Sequence, residues 1–298
     1  TLDAFMKGKI AIKKVNLDLE KLMRYNGHEG FYAGLGLETN DLFSRRWQTG
    51  AYWGYGLKDK TAKWGAFLQL NLPNTHDSYF RYDYQFDKQE SGVIEFTGRN
   101  FSGFDPYTYR NFQINRMDAL NEHQLSFSTR IFEYTNVWLA LSIAEFNPAY
   151  DYRFIYHEFG NNEIFNFSEL SASFRWAYGE KFIRTTKGKV SLGTKFPVVW
   201  FQFNKGLDFL PGGDFDYFRT FLDVTYSFYT PFIGKTSLRL NAGMASSNLP
   251  SSKLFNARAN HADFTLFSPG SFTTMRMNEF YSDRFIAFFA QHNFGHLL

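Results

Sequence analysis

Residues 80–87 read Phe80-Arg81-Tyr82-Asp83-Tyr84-Gln85-Phe86-Asp87. In an extended chain, residues two apart share a face. Phe80, Tyr82, Tyr84 and Phe86 therefore make one side wholly aromatic, and Arg81, Asp83, Gln85 and Asp87 make the other wholly polar. A helix would scatter the four rings around its circumference. The stretch is a two-faced strand, and what its aromatic side meets decides the fold.

The alternation recurs along the chain. Trp47, Thr49, Ala51, Trp53, Tyr55 and Leu57 alternate with Arg46, Gln48, Gly50, Tyr52, Gly54 and Gly56. Leu170, Ala172, Phe174, Trp176 and Tyr178 oppose Glu169, Ser171, Ser173 and Arg175, and Phe218, Leu222, Val224, Tyr226 and Phe228 oppose Arg219, Asp223, Thr225 and Ser227. Leu238, Leu240, Ala242 and Met244 oppose Ser237, Arg239, Asn241 and Gly243, and Tyr152, Phe154 and Tyr156 oppose Asp151, Arg153 and His157.

A soluble sandwich alternates too. Two features select a membrane barrel instead. Many of these segments run ~10 to 15 residues, against ~5 to 6 for soluble strands. Trp and Tyr also crowd near segment ends, where interfacial girdles belong; Trp47, Trp53, Tyr55, Trp176, Tyr178 and Trp200 are the candidate interfacial aromatics. The expected fold is all-β, an antiparallel transmembrane β-barrel of about twelve or more strands.

Composition agrees. Of 298 residues, 37 are Phe and 18 are Tyr, yet mean hydropathy is only −0.37. Many rings with modest hydropathy is what half-lipid, half-water strands produce. Charge is balanced, with 32 basic against 29 acidic residues, which argues against nucleic acid as a partner. The absence of cysteine excludes disulfides and thiolate metal sites. No run of ~18 apolar residues marks a transmembrane helix.

Turn residues punctuate the strands. A tight hairpin is expected at Thr135-Asn136, with short connections at Lys58-Asp59-Lys60 and Pro231 to Gly234. Two stretches, about Lys88 to Leu120 and about Ser246 to Asn278, are long and irregular. Counting strands puts these two loops at opposite ends of the barrel, against the rule of short turns on one side and long loops on the other. A further strand is therefore expected near Gly92 to Thr97.

Chemical signatures are sparse. No metalloprotease, nucleophile-elbow or phosphate-loop pattern occurs. His292 and His296 lie four apart, which on a strand spans roughly 13 Å, too far for one ion. Asp151, Arg153, His157 and Glu158 supply titratable groups near a strand edge and read as ordinary rim polarity. Arg81, Asp83, Arg130, Arg153, Arg175 and Arg239 are the candidate lumen polar network, satisfying one another in a confined, wet interior. Gly34, Gly36, Gly50, Gly54 and Gly56 fall on the non-lipid face, where they let strands bend or let neighbouring side chains approach. No catalytic residue, metal ligand or cofactor site is expected.

Several short motifs carry a family resemblance. They are Asn26, Glu29 and Gly30; Gly34-Leu35-Gly36-Leu37-Glu38-Thr39-Asn40; Ala51-Tyr52-Trp53-Gly54-Tyr55-Gly56-Leu57-Lys58-Asp59-Lys60; Lys63-Trp64-Gly65; Asn278-Glu279-Phe280; Ser282-Asp283-Arg284-Phe285; and His292-Asn293-Phe294. Together they resemble a Gram-negative outer-membrane family of unknown function. Its members place a carboxypeptidase-regulatory-like domain ahead of a barrel related to the surface-antigen, BamA-like assembly barrels. The resemblance implies residence in the bacterial outer membrane, the lipid bilayer as partner, and contact with other outer-membrane or periplasmic proteins.

The function implied is anchoring of a periplasmic portion, with a role in envelope assembly or maintenance. The alternative is a BamA-like insertase or translocation pore, with a barrel hydrolase further behind. The Val-Arg-Gly-Phe loop motif of the assembly barrels has no counterpart; the nearest text is Gly98-Arg99-Asn100-Phe101. The whole of 1–298 reads as one barrel domain, with 1–28 as a lead-in strand or linker. Upstream periplasmic domains and downstream closing strands are expected outside it, so that Phe285 to Phe294 would not pair with Phe31 to Leu37.

Overall fold

The computed structural model describes residues 8–73, 76–99, 106–156, 160–162, 164–185, 188–246, 248–261 and 268–295. Fourteen strands join into one large antiparallel sheet. In chain order they are β1 (Lys9–Ile12), β2 (Val15–Asp18), β3 (Met23–Asn26), β4 (Gly30–Thr39), β5 (Trp47–Gly56), β6 (Ala62–Asn71) and β7 (Tyr79–Glu90). They continue as β8 (Met117–Phe132), β9 (Thr135–Pro148), β10 (Phe165–Ala177), β11 (Val198–Gly206), β12 (Tyr217–Thr230), β13 (Gly234–Ala245) and β14 (Arg284–Asn293). β2 and β3 act as one interrupted strand along β4: β2 covers residues 36–39 and β3 covers 30–33. Between them the 3-10 turn Leu19–Lys21 buckles inward over Gly34 and Gly36, capped by Asp18, whose carboxylate accepts from the Glu20 amide at 3.0 Å.

Register turns the sequence alternation into two surfaces. Phe80 faces Leu70 and Phe127, and Tyr82 faces Leu68 and Leu125, so the outward rows are apolar across three strands. Arg81 faces Gln69 and Ser126, so the inward rows are polar. The outward apolar side chains remain exposed, as at Trp53, Leu68, Phe80, Leu125, Leu170 and Phe174. Exposed apolar faces of this extent on long strands are what a bilayer covers.

The connections sort into two ends. Segments 57–61, 91–116, 149–164, 207–216 and 246–283 all leave the sheet at one end, hereafter the long-loop end. Segments 40–46, 72–78, 133–134, 178–197 and 231–233 form the short-turn end. The two longest loops thus share an end, because six sheet strands separate them and six is even. Two short hairpins, Phe154–Tyr156 with Gly160–Asn162 and Phe182–Thr185 with Gly188–Ser191, stand outside the main sheet.

Other expectations are corrected. Residues 92–97 form no strand; they cross the concave face as irregular chain. The hairpin turn is Glu133-Tyr134, and Thr135 and Asn136 already belong to β9. Tyr152 lies in a loop and, with Phe154, packs against the inner core instead of alternating on a long strand. The sheet does not close on itself: among the described residues β14 pairs with β13 alone, while β4 is flanked by β2, β3 and β5.

Candidate functional site

The concave face holds the polar chemistry, and the first strands fill it with their own side chains. Glu29, at the β3–β4 turn, is fully buried. Arg24 donates to it through Nε at 3.0 Å and Nη2 at 2.9 Å, and Lys63 reaches it at 2.5 Å. Asn26 also donates to it, and its own Oδ1 accepts from the Glu29 amide at 2.7 Å. Burial pushes the Glu29 carboxyl up, but the Arg24 charge and the bonds from Arg24 and Lys63 hold it below the usual carboxylate range. Lys63, only 1% exposed, is shared with Asp59 at 2.9 Å, which Lys88 meets at 3.2 Å. Against its burial, donors from Thr61 and Lys63 bring the Asp59 carboxyl down to about 2.

Glycine makes room for this cluster. A Cβ at Gly54 would fall on the Tyr32 ring, and one at Gly56 would meet Asp59 and the Lys63 ammonium at 2.6 Å. Tyr32 is fully buried and carries the Arg24 guanidinium 4.3 Å above its ring. Arg24 also pairs with Asp87, to which Tyr52 donates at 2.9 Å.

The later strands are filled by loops. Phe96 packs between Trp200 and Phe221, with ring centres 5.6 and 4.7 Å away. The Thr97 amide donates to Gln202 at 2.7 Å, and Arg219 donates to the Val93 carbonyl at 2.8 Å. Arg99 joins Arg239 on Asp223, which Arg239 meets through Nε at 3.0 Å and Nη2 at 2.8 Å. From the other long loop, Lys253 reaches Glu169 at 3.1 Å, where Asn204 donates at 2.7 Å and Tyr217 also donates. Both loops also converge on Glu90 at the end of β7, and Arg110 of one donates to the Ala259 carbonyl of the other at 3.2 Å. Asn256 donates to Glu90 at 2.9 Å, and Arg110 grips the same carboxylate with bonds of 2.6 and 2.7 Å. A cavity of about 890 Å³ remains between the loops and the sheet, lined among others by Arg81, Asp83, Glu122 and Asn241.

The six candidate lumen residues do not form one network. Arg81 chelates Asp83 at 2.7–2.9 Å on its own strand, above the Phe67 ring. Arg130 sits at the short-turn end, paired with Asp77 at 3.2 Å. Arg175 holds Glu180 through two bonds of 2.6 Å, and Arg239 holds Asp223. Arg153 is exposed in the loop after β9, outside the lumen. The separation has a simple cause: Arg81, Arg130, Arg175 and Arg239 each find a carboxylate close by, so none reaches further.

Of the six candidate interfacial aromatics, Trp47, Trp53, Tyr55, Trp176 and Tyr178 are exposed on the outward face. Trp200 is the correction. It is 8% exposed, pairs in register with the inward-facing Arg175 and Asp223, and stacks on Trp138 at 5.3 Å. Its strand reads Val198-Val199-Trp200-Phe201-Gln202-Phe203, apolar on both faces near its start, so alternation could not assign the ring. His157, Glu158 and His296 lie outside the described residues. His292 is bonded to Thr236 at 2.9 Å and lies 3.1 Å from the Ile233 carbonyl. Among the described residues no cluster of three His, Cys, Asp or Glu could hold a metal. Sequence reasoning missed Lys63, Asp59 and Lys253. Lys63 had a signal, since it falls on the inward face beside glycines; Lys253, in irregular chain, had none.

Comparison with known proteins places this geometry. A family model described as "Family of unknown function (DUF5686) C-terminal domain" matches residues 107–298. No curated protein matches the chain by sequence. Among solved structures, BamA from Haemophilus ducreyi lacking POTRA domains 1-3 is similar with a TM-score of 0.50 at 9% identity, over 79% of this chain and 43% of that one. OccAB1 of Acinetobacter baumannii gives 0.43 at 13% identity, over 82% of this chain and 62% of that one. The present chain spans less than half of the BamA chain, and the likeness is one of fold: an outer-membrane β-barrel sheet.

Proposed function

We propose that this chain, which belongs to the DUF5686 C-terminal-domain family, is the barrel of a bacterial outer-membrane protein, anchoring a periplasmic portion that serves envelope assembly or maintenance. The observation that carries the reading is the division of labour between its faces. The outward rows are apolar and exposed, while the inward rows of β10 to β13 are bonded to two loops that cover them. A sheet filled this way suits an anchor better than a wide aqueous channel, whose lumen stays open. The periplasmic portion is of the carboxypeptidase-regulatory-like kind that the sequence motifs imply. The chain itself performs no catalysis on this reading, and uses no cofactor.

The test takes the full-length protein. Depleting it, followed by a census of the outer-membrane proteome, should lower a subset of envelope proteins. Reconstitution into planar bilayers should give no stable conductance steps. An unchanged proteome would remove the envelope role, and a steady open channel would replace the anchor with a pore.

A further inference from the structure

The short-turn end carries an unusual surface. Around its turns, large apolar side chains are exposed: Leu42 and Phe43 after β4, Phe132 at the end of β8, Phe182 and Ile183 on the hairpin after β10, and Phe232 after β12; the Phe182 ring also lies 5.8 Å from the Arg130 guanidinium of β8. Phe232 is 99% exposed and Phe132 is 72% exposed. Turns in water are built from polar residues, and six large apolar groups on four connections need a cover. They continue the lipid-facing rows, since Trp176 stacks on Tyr178 and Tyr178 packs on Phe196 at the base of the hairpin.

Charge at this end is predominantly basic. Lys13, Lys14, Arg45, Arg46, Lys181 and Lys195 are all exposed, and none makes an ion pair among the described residues. Of the acids nearby, Glu38 is paired with Lys9, Asp77 with Arg130 and Glu180 with Arg175, which leaves Asp41 and Glu133 as exposed carboxylates against those six cations. The long-loop end is mixed instead, with exposed Asp151, Asp208 and Asp216 beside Lys58, Lys60 and Arg153. Apolar tips flanked by free cations are the arrangement that enters a headgroup layer, where rings sit among acyl carbons and lysines reach up to phosphates.

We propose that the short-turn end is a binding surface for anionic phospholipid, with the hairpin Phe182–Thr185/Gly188–Ser191 lying on the leaflet and Lys181 and Lys195 meeting the headgroup phosphates. This rests on the outer-membrane barrel reading, and it fits the rule that short turns face the periplasm, where the leaflet is phospholipid. It adds a lipid preference and a docked element to that reading.

The chain has no cysteine, so single labels are clean. The full-length protein, reconstituted in vesicles, carries an environment-sensitive dye at Phe182→Cys, or at Leu68→Cys on the outward face of β6. Quenching is measured with nitroxide on acyl chains, on phosphatidylglycerol headgroups and on phosphatidylcholine headgroups, and with aqueous iodide. The Leu68 label should be quenched from the acyl chains, and failure there would overturn the barrel reading itself. The Phe182 label should be quenched from headgroups, with phosphatidylglycerol favoured over phosphatidylcholine by roughly fivefold or more. That preference should vanish in K181E/K195E, with Leu68 quenching unchanged. With Leu68 in lipid, three results would each overturn the proposal: a Phe182 label open to iodide, a label shielded from both iodide and lipid by a second protein copy, or equal quenching by the two headgroups.

Discussion

The two halves of the sheet fill the same concavity by opposite means. Along β4 to β7, Gly34, Gly54, Gly56 and Gly65 remove side chains, and Tyr32, Tyr52 and Lys63 lean into the space. Along β10 to β13 the wall keeps its side chains, and Phe96, Arg99 and Lys253 are brought in from loops. The first half is complete once neighbouring strands pair. The second depends on segments that travel across the interior. Stability in the first should therefore be local, and in the second should be tied to loop docking.

The largest expected effect tests the first half. Lys63→Met leaves Glu29 buried with one cation fewer, and should cost ~3–5 kcal/mol in urea unfolding from lipid vesicles. Protease cleavage within 246–283 should stay at its wild-type rate. Faster cleavage there would mean that the two halves are coupled.

The next compares outward and inward rows. Phe174→Arg should cost roughly 2–4 kcal/mol if the site lies near the bilayer midplane, whereas Gln85→Arg, lining the cavity beside Glu122, should cost much less. Ser173→Arg will not be as mild as alternation alone suggests, because Ser173 is buried. Equal losses at Phe174 and Gln85 in a refolding assay would erase the distinction between faces.

A smaller loss tests the second half. Lys253→Ala removes the cation paired with Glu169 but leaves the bonds from Asn204 and Tyr217, so about 1–3 kcal/mol is expected. Here cleavage within 246–283 should accelerate clearly. A stability loss without faster cleavage would show that Lys253 does not hold the loop.

The smallest effect is acid sensitivity of the first half. The folded Asp59 carboxyl is depressed to about 2. Its contribution is therefore full above the unfolded value near 4, and is lost as pH falls through about 2. Asp59→Asn should flatten the acid limb of the stability curve by on the order of 1 kcal/mol. An unchanged limb would assign the acid response to other carboxylates.

The same contrast explains what could be read from the sequence. Phe80 to Asp87 was legible because lipid on one side and water on the other impose a period of two on every residue. The glycines of β4 and β5 were legible as places of close approach, though not for whose side chain approaches. Trp200 was misread because loop docking makes the inner wall apolar too, which erases the period. Lys253 and Phe96 were invisible as interior groups, since irregular chain carries no periodicity and their partners Glu169 and Phe221 lie far away in sequence. Arg81, Arg175 and Arg239 come from strongly alternating stretches and lie on strands, whereas Arg153, from a short patterned stretch, lies in a loop.

The ties that the second long loop makes to the end of β7 and to the first long loop also set an order in time. Asn256 is bonded to Glu90 across 166 residues of chain, and Ser251 to Ser91 across 160. Neither bond can form until most of the sheet between them has been laid down, because closing so long a span without intervening structure is entropically unfavourable. The wall must assemble first and the interior settle afterwards. For a while during biogenesis, the nascent sheet therefore presents an empty hollow, and the slow phase of maturation should be the arrival of its filling.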